Sequence, residues 1–441
     1  MAILPQKQLF RWEEIENLGD LQRLELVLRS VPDEPLMRCL ESRRGRGRND
    51  YPIRAVWNSL LAGVVFQHPS IESLRRELLR NGQLRWLCGF DLTQGAAAVP
   101  PAHVYSRFLK LLLGDFDPIE EMFDDLVEQL HQALPGFGTN LAMDGKALPT
   151  HARPRKGLQQ MSSDGRRDTD ADVGKKTYTG VREDGTTWQK VVQWFGYKLH
   201  LIVDADYELP VAFALTKASR SEIPEGRELV QKLKQRHTEL VEQDCETLIA
   251  DRGLDDTQLI ELLWDECGIK PVIAIRNMWK DGEETKLVDG QRNVVYDYQG
   301  NVYCYCPMTG ERRPMAYGGF EQDRQALKYR CPAVHYGFEC KGCNHCPVTG
   351  GVRIKLSQDR RVFTPLARSS YRWKHLYRKR TAVERVNSRL DVSFCFEQHF
   401  IRGRKKMTLR VGLALVVMLA MALGRVKEKQ KDKLRSLVQA A

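Results

Sequence analysis

Apolar residues recur every three or four positions from about residue 12 to 113, which is the spacing of amphipathic helices. Runs such as 21–28 and 60–65 place several Leu or Val side chains on one helical face. A basic stretch at 43–48 separates two such blocks. The pattern predicts an all-helical N-terminal domain over residues 1–115. Such a domain can dock on DNA or serve dimerisation and packing, and the sequence leaves both roles open.

The periodicity changes after Gly138. Alternating apolar and polar residues over 196–204 and 209–216 predict a β-hairpin, and the polar residues from about 150 to 190 predict a long loop before it. Further predicted elements are strands at 140–144, 245–251 and 270–276 and helices at 225–237 and 256–266. Strands and helices in this order predict a mixed α/β sheet over residues 138–280.

Glycine, proline and cysteine interrupt this rhythm further along the chain, which predicts an inserted subdomain at 281–365. Helical spacing returns at about 370–390 and 408–428, so residues 366–425 are expected to complete the core. A charged tail, 426–441, follows. The apolar run 411–424 is only 14 residues long, too short to span a membrane, and is expected to be a buried core helix. We therefore expect no membrane association.

Charge narrows the class of partner. The 441 residues have 68 Lys+Arg against 57 Asp+Glu, a net of +11, with 42% hydrophobic residues. From Arg353 to Lys406 the count is 16 Lys+Arg and 4 Asp+Glu, a local +12, so the rest of the chain sums to 11 − 12 = −1. This one segment therefore carries the whole excess of positive charge. A solvated basic face is the simpler interpretation, but a patch this dense favours contact with a phosphate backbone.

Three carboxylates stand out as candidates for catalysis. Asp144 and Asp251 each follow a short apolar strand, and Glu384 lies in the basic segment. Tyr377, Arg380 and Glu384 are spaced i, i+3, i+7, so one helix would place them on one face. Carboxylate oxygens suit Mg²⁺, and a pair of ions about 4 Å apart can serve in-line attack on a phosphodiester.

These residues lie in segments that resemble a known family. Met143–Lys146, Gly196–His200, Leu209–Val211, Ala250–Gly253 and Tyr377-x-x-Arg380-x-x-x-Glu384 are similar to the motifs of DDE transposases of bacterial insertion sequences. The similarity is greatest to the group with Tyr, Arg, Glu and Lys in its third motif. It runs in order from about residue 10 to 425.

The resemblance implies an RNase H-like core in which Asp144, Asp251 and Glu384 are catalytic and hold Mg²⁺ or Mn²⁺, with two ions expected. It also implies that Tyr377 and Arg380 contact the cleaved strand. One position departs from the family pattern, because its Lys, seven residues after the Glu, is Asp391 here. Arg385, Arg389 or a later basic residue could substitute for it.

The expected partner is double-stranded DNA, both the element's ends and the target, bound by a homodimer or larger assembly in a synaptic complex. The expected location is the bacterial cytoplasm, in association with the nucleoid. Other basic residues expected to contact DNA phosphates are Lys379, Arg402, Arg404, Lys405 and Lys406. Two alternatives stay open: an RNase H-like nuclease that cuts without joining, and a domesticated DNA-binding regulator without catalysis. The intact acidic residues count against the regulator.

Six of the eleven cysteines lie close together in sequence and predict a structural zinc site. They are Cys304, Cys306, Cys331, Cys340, Cys343 and Cys346. Four thiolate or imidazole ligands suffice for tetrahedral zinc, so His335 and His345 compete with them. Trp279, at the start of the insertion, could stack on a flipped base as in some relatives, but a core or surface tryptophan is the simpler interpretation.

Overall fold

The computed structural model describes residues 18–44, 50–114, 117–153, 168–182, 184–348 and 350–435. Its N-terminal part is helical, as the apolar spacing predicts. Ser70 shows how one of these helices begins, because its side chain accepts a hydrogen bond from the Ser73 N–H. The helices are α1 (Gln22–Ser30), α2 (Glu34–Arg44), α3 (Ile53–Val65), α4 (Ile71–Arg80), α5 (Gly82–Cys88), α6 (Ala102–Gly114) and α7 (Asp117–Ala133).

A mixed sheet follows, which confirms the predicted mixed α/β architecture. Its strands are β1 (Asn140–Pro149), β2 (Asp172–Val181), β3 (Thr187–Asp204), β4 (Leu209–Lys217), β5 (Thr247–Ala250) and β6 (Lys270–Ile273). They lie in the order β2-β3-β1-β5-β6, and β4 also pairs with β3. β1, β5 and β6 are parallel, whereas β3 is antiparallel to β1, β2 and β4.

The predicted loop from about 150 to 190 is wrong where the structure describes it. Residues 172–181 form β2, which pairs along its length with the first half of β3. Much of this ribbon is exposed on both faces, so it lacks the apolar alternation of a half-buried strand. Cross-strand packing supports it instead: the indole of Trp194 lies over Gly174, and that of Trp188 lies over Gly180.

Two helical segments link the later strands. Helix α8 (Glu222–Arg236) buries Leu229, Val230 and Leu233, as its period predicts. Helix α9 (Thr257–Glu261) continues as a π-helical turn over Leu262–Glu266. Both agree in position with the helices predicted from the sequence.

The Cys-rich segment forms small antiparallel sheets around a hydrophobic cluster of its own, which includes Val294, Leu327 and Ile354. Its elements are β7 (Lys286–Leu287), β8 (Val294–Tyr296), β9 (Val302–Tyr305), β10 (Arg312–Pro314), β11 (Ala316–Glu321), β12 (Ala326–Arg330), α10 (Pro332–Tyr336) and β13 (Gly351–Lys355). The sheet orders are β10-β9-β8-β7 and β11-β12-β13.

The chain then returns to the main core through α11 (Tyr371–Tyr377), α12 (Thr381–Phe394) and α13 (Arg404–Lys427). Helix α13 packs against α1, α7 and β4, so one hydrophobic core joins the N-terminal helices to the sheet. Length and composition would allow α13 to cross a membrane, but 89% of its most apolar window is buried inside the protein. The prediction of a buried core helix is confirmed.

Candidate active site

Asp144 lies at the point where the central strand leaves its parallel partner. β1 pairs with β5 only as far as Met143, opposite Ala250, and Asp144 is the next residue. The sequence predicts that the strand ends here, but β1 continues to Pro149 because it stays paired with β3. Apolar residues on both faces of β1, from Leu141 to Met143, anchor this position in the core.

Asp251 lies directly after β5, as predicted, beside Asp144. Its Oδ1 accepts a hydrogen bond of 2.7 Å from the Gly253 N–H and so caps a short 3₁₀ turn. The Oδ1 of Asp144 accepts a bond of the same length from the Gly145 N–H. The two carboxylates therefore end neighbouring parallel stretches of the sheet, each held by a backbone donor from a following glycine.

Burial raises the pKa of the Asp144 carboxyl from 3.8 to about 6. The charges of Asp251 and Glu222 raise it further, while the charge of Lys176 and the Gly145 N–H oppose the shift. A carboxylate in this environment is costly to ionise, chiefly because it is buried and also because two other negative groups lie within electrostatic range. A bound cation would remove this cost.

The third carboxylate, Glu384, lies in the first turn of α12. The sequence predicts one continuous helix over 370–390, but a 3₁₀ turn at Arg378–Arg380 separates α11 from α12. Even so, Arg380 and Glu384 remain on one side, because the Arg380 Nη1 donates to Glu384 Oε1 at 2.6 Å. The Glu384 side chain is 48% exposed.

Arg380 connects this helix to the strand carboxylates. Its pKa is raised although burial opposes the charge, because Glu384 accepts its hydrogen bond and Asp144 adds its negative charge. Tyr377 lies in the same group of side chains. Burial raises its pKa, the charge of Arg380 lowers it, and the charge of Asp251 raises it. The structure thus places Tyr377 and Arg380, with Glu384 bonded to Arg380, within electrostatic range of the two strand carboxylates.

Within the described ranges, no three His, Cys, Asp or Glu side chains are close enough together to hold a metal ion. The acidic groups at the sheet edge are nevertheless hard oxygen donors, the type that Mg²⁺ and Mn²⁺ prefer. The chemical type of these side chains therefore suits such ions, but as placed here they do not form a ligand set.

The predicted DNA-contacting cations differ in their surroundings. Lys379 donates to Asp206 Oδ1 at 2.6 Å, so an internal partner neutralises it. Arg402 is half-buried, whereas Arg404, Lys405 and Lys406 are exposed in the first turn of α13. Positive side chains in the first turn of a helix oppose the helix dipole and so destabilise the helix. These three cations therefore do not serve to stabilise α13.

Glu222, the first residue of α8, also lies at the sheet edge and is not among the residues predicted from the sequence. Its carboxylate lies beside Gly145 and Gly253, the glycines that follow Asp144 and Asp251. A Cβ at either glycine would lie within 3.4 Å of this carboxylate, so the two glycines leave room for it.

Some of the six predicted zinc-binding cysteines lie close to one another. Burial raises the pKa of Cys304 to about 11, with further effects from Cys331, Cys346 and Cys340. Hydrogen bonding with Thr309 lowers the pKa of Cys306 to about 6. The structure also places exposed Cys343 in the turn between Cys340 and Cys346. Thiolates suit zinc, but the described side chains do not form a closed ligand set.

Trp279 packs within the insertion. Its ring meets that of Tyr296 edge-on at 5.8 Å, and the Lys286 ammonium lies 4.6 Å from its ring centroid. These contacts agree with the simpler interpretation, a tryptophan that supports the fold of the insertion.

Comparison with known proteins identifies the class. A family model described as Transposase DDE domain matches residues 135–420, and one described as Transposase domain (DUF772) matches residues 6–111. The first match covers more than half of the chain, so the protein belongs to the DDE transposase family. Its two matched regions give the arrangement typical of bacterial insertion-sequence transposases. Membership implies a metal-dependent enzyme that cleaves and joins DNA.

Among solved structures, the chain is similar to the piggyBac transposase in a synaptic complex with hairpin DNA. The identity is 11% and the TM-score 0.38, over 97% of this chain and 80% of that chain. This likeness is too weak to support an argument about fold or function. No curated protein matches the chain.

Proposed function

We propose that the protein is an insertion-sequence transposase that binds terminal inverted repeats, cleaves phosphodiester bonds at the element's ends and joins the 3′-hydroxyls to target DNA. The observation that carries this proposal is the position of Asp144 and Asp251 at adjacent places on parallel strands. Beside them lie Arg380 and Glu384, held together by a hydrogen bond. Acidic groups for cations and a basic group for phosphate therefore share one edge of the sheet.

The core is proposed to be RNase H-like. The strand order and directions around β1 support this, since β4, β3 and β1 form an antiparallel series and β5 and β6 extend it in parallel. In the proposed domain division, residues 138–280 and 366–425 form this core, and the Cys-rich insertion interrupts it.

Asp144, Asp251 and Glu384 would hold the divalent ions, expected to be two Mg²⁺ or Mn²⁺. Bound ions of this kind activate the attacking oxygen and stabilise the leaving oxygen. The protein's own part is to orient the DNA strand. The Arg380 guanidinium can donate to a phosphate from where it now donates to Glu384, and the Tyr377 hydroxyl is close enough to support the same strand.

DNA binding is proposed to depend on the exposed cations Arg404, Lys405 and Lys406, with the N-terminal helices adding contacts or joining two protomers. Two element ends must be held together for joining, so a dimer or larger assembly is proposed, acting in the cytoplasm on chromosomal DNA.

A structural zinc ion in the insertion stays a proposal, supported by the proximity of Cys304 to Cys331, Cys340 and Cys346. A metal can stabilise a small module whose own core is marginal. Metal analysis of the mildly purified chain is expected to give about one zinc per protein. A folded, active chain without zinc would exclude it.

The test of function uses the full chain and a duplex containing the inverted repeats that bracket its reading frame. With Mg²⁺, the wild type is expected to nick the element's ends and join them to a plasmid. Asp251→Asn is expected to abolish both products but keep DNA affinity, because the phosphate-binding cations remain. Nicking without joined product would indicate a nuclease, and unimpaired cleavage by Asp251→Asn would exclude the proposed site.

A further inference from the structure

The β2–β3 ribbon, in which 172–181 pair with 187–196, extends beyond the rest of the sheet. β1 and β4 pair with β3 from Gly196 onward, so the part before it is two-stranded in the described chain. The later residues of β3 are buried, whereas every residue from Thr187 to Gln193 is exposed. The ribbon therefore offers a large surface to a partner.

Two tryptophans and two lysines share one face of this ribbon. Positions 188, 190 and 194 of β3 are an even number of residues apart, so their side chains lie on the same side of the strand. Position 176 of β2 pairs with position 192, and paired residues of antiparallel strands share a face. Trp188, Lys190, Trp194 and Lys176 thus form what we name the tryptophan face.

Both indoles on this face rest against the backbone of a glycine. Trp188 pairs with Gly180, and a Cβ on this glycine would lie only 2.5 Å from Trp188 Nε1. Trp194 lies over Gly174 in the same way, and its Nε1 donates to the Tyr197 carbonyl at 2.9 Å. Trp188 is 37% exposed, so the side of its ring away from the glycine faces solvent. An aromatic ring held in this way is a platform on which a nucleic-acid base can stack.

The charge of the paired strands is positive. The stretches 173–181 and 187–195 contain three lysines and no Asp or Glu. The turn between the strands adds Arg182, Glu183 and Asp184, so its acidic residues lie at one end of the ribbon. Lysines among exposed aromatic and apolar side chains suit a partner that carries phosphates beside flat apolar rings.

The ribbon starts beside the other groups proposed to act on DNA. Asp168, four residues before β2, accepts a hydrogen bond of 2.9 Å from the N–H of Gly403, the residue before α13. The exposed cations in the first turn of α13 therefore adjoin the base of the ribbon. Lys176 lies within electrostatic range of Asp144, since its charge lowers the pKa of that carboxyl. The tryptophan face thus begins near the candidate active site.

We propose that the tryptophan face binds an unpaired DNA strand next to the candidate active site, with a base stacked on Trp188 and a phosphate beside Lys190. The proposal rests on the proposed function and adds a second contact surface to the exposed cations of α13. Duplex DNA hides the faces of its bases, so an aromatic platform favours single-stranded DNA. A ribbon that instead joins two protomers is the alternative that the test separates.

The test measures binding of the full chain to fluorescein-labelled oligothymidine and to a labelled duplex without inverted repeats, by anisotropy in EDTA. Trp188→Ala is expected to weaken oligothymidine binding by about 5-fold or more, the effect of losing one stacked base, and to change duplex affinity by less than about 2-fold. Trp188→Phe should keep most of the affinity, because an aromatic ring remains. Oligothymidine should quench the tryptophan fluorescence of the wild type more than that of Trp188→Ala.

Val191→Ala is the matched control, since Val191 is exposed on the opposite face of the same strand and the change also removes apolar surface. Its affinity for oligothymidine should equal that of the wild type. An effect as large as that of Trp188→Ala would overturn the proposal, as would an equal loss of duplex and oligothymidine binding in Trp188→Ala. If Trp188→Ala changes the sedimentation of the protein and not its oligothymidine binding, the ribbon joins protomers and the proposal is wrong.

Lys190→Ala covers the case in which Trp188→Ala does not fold, because Lys190 is exposed and its removal leaves both tryptophans over their glycines. This variant should flatten the dependence of log K on log salt for oligothymidine by about 0.7. An unchanged slope and affinity would contradict the proposal.

Cleavage distinguishes failure of this proposal from failure of the proposed function. If Trp188→Ala binds oligothymidine like the wild type while the wild type nicks and joins element ends, only the role of the ribbon fails. If the wild type neither nicks nor joins, the proposed function fails, and weaker oligothymidine binding by Trp188→Ala would still support the tryptophan face as a DNA-binding surface.

Discussion

Lys146 and Asp391 form an ion pair of 2.5 Å that joins β1 to α12. Lys146 lies two residues after Asp144, and Asp391 lies seven residues after Glu384. The pair therefore fixes the two elements that carry the strand and helix carboxylates. It also accounts for the departure from the family pattern at position 391: the acid there neutralises a lysine of the strand.

The Lys146–Asp391 pair is expected to stabilise the fold cooperatively. Both side chains are largely buried, 12% and 24% exposed, so loss of one partner leaves a poorly solvated charge. Lys146→Met and Asp391→Asn should each lower the free energy of unfolding by about 1–3 kcal/mol. The double variant should lose less than their sum, by about 1 kcal/mol or more, in urea unfolding. Strict additivity would show that the two side chains do not interact in solution.

The pattern of apolar residues along the chain was sufficient to predict the main helices and strands of the core. The apolar runs of β1, β5 and β6 and the helical spacing of α8 and α13 reflect burial on a fixed face, which periodicity detects. It failed for the β2–β3 ribbon, because that ribbon is held by backbone pairing and by tryptophans over glycines, and neither leaves an alternating pattern.

The motif residues of the candidate site could be predicted from the sequence, but the residues that contact and hold them could not. Asp251 follows a buried strand and Glu384 lies in a basic segment, and both features can be predicted from the sequence alone. The contact of Glu222 with Gly145 and the pairing of Lys146 with Asp391 cannot, because each joins segments that are 77 or more residues apart in the sequence. The break between α11 and α12 was also hidden, since the residues of the 3₁₀ turn at 378–380 would suit a helix as well.

Glu208 is expected to position α12. This buried residue, 3% exposed, lies in the turn after β3 and accepts hydrogen bonds from Arg385 at 2.8 Å and from Arg389. Glu208→Gln should lower the free energy of unfolding by about 3 kcal/mol, because it leaves the largely buried Arg389 without its counter-charge. Cleavage should fall as well, since α12 carries Glu384.

Glu246→Gln serves as the comparison for Glu208→Gln, since Glu246 pairs with Arg372 at the surface, where both side chains are more than half exposed. An exposed pair is expected to be worth under about 1 kcal/mol. Equal effects of the two variants on urea unfolding would contradict a positioning role for Glu208.

Asp204 is expected to make stability depend on pH. It is fully buried, accepts hydrogen bonds from the N–H groups of Gly138, Asp206 and Tyr207, and has its pKa raised from 3.8 to about 6, with burial as the main cause. The folded state therefore binds this proton more tightly than the unfolded state. Its contribution is fully present below about pH 4 and is lost as pH rises through 6.

The side chain introduced by Asp204→Asn cannot ionise, so this variant should not show the loss of stability as pH rises through 6. Relative to Asp204→Asn, the wild type should lose up to about 3 kcal/mol of its free energy of unfolding between pH 4 and pH 7. Chemical unfolding at a series of pH values measures it. Parallel curves for the two proteins would show that Asp204 does not titrate in this range.

Arg380 is expected to act in cleavage, whereas Arg378 is expected to act in DNA affinity. Arg380 donates to Glu384 and lies in the field of Asp144, while the Arg378 side chain is exposed in the same 3₁₀ turn. Arg380→Ala should therefore reduce single-turnover cleavage far more than affinity. Arg378→Ala should weaken binding similarly for any DNA sequence and leave cleavage of bound DNA almost unchanged.

Salt dependence separates the three neighbouring cations of this turn. On duplex DNA, log K falls with log salt by about 0.9 per phosphate neutralised. Lys379 is paired with Asp206 and Arg380 with Glu384, so only Arg378 is expected to supply a full phosphate contact in the absence of divalent ions. Replacing all three by Ala should thus flatten the slope by about one unit. A flattening of nearly three units, measured across a salt series in EDTA, would mean that DNA displaces both internal carboxylates, and Arg380 would then have to be treated as a primary DNA contact.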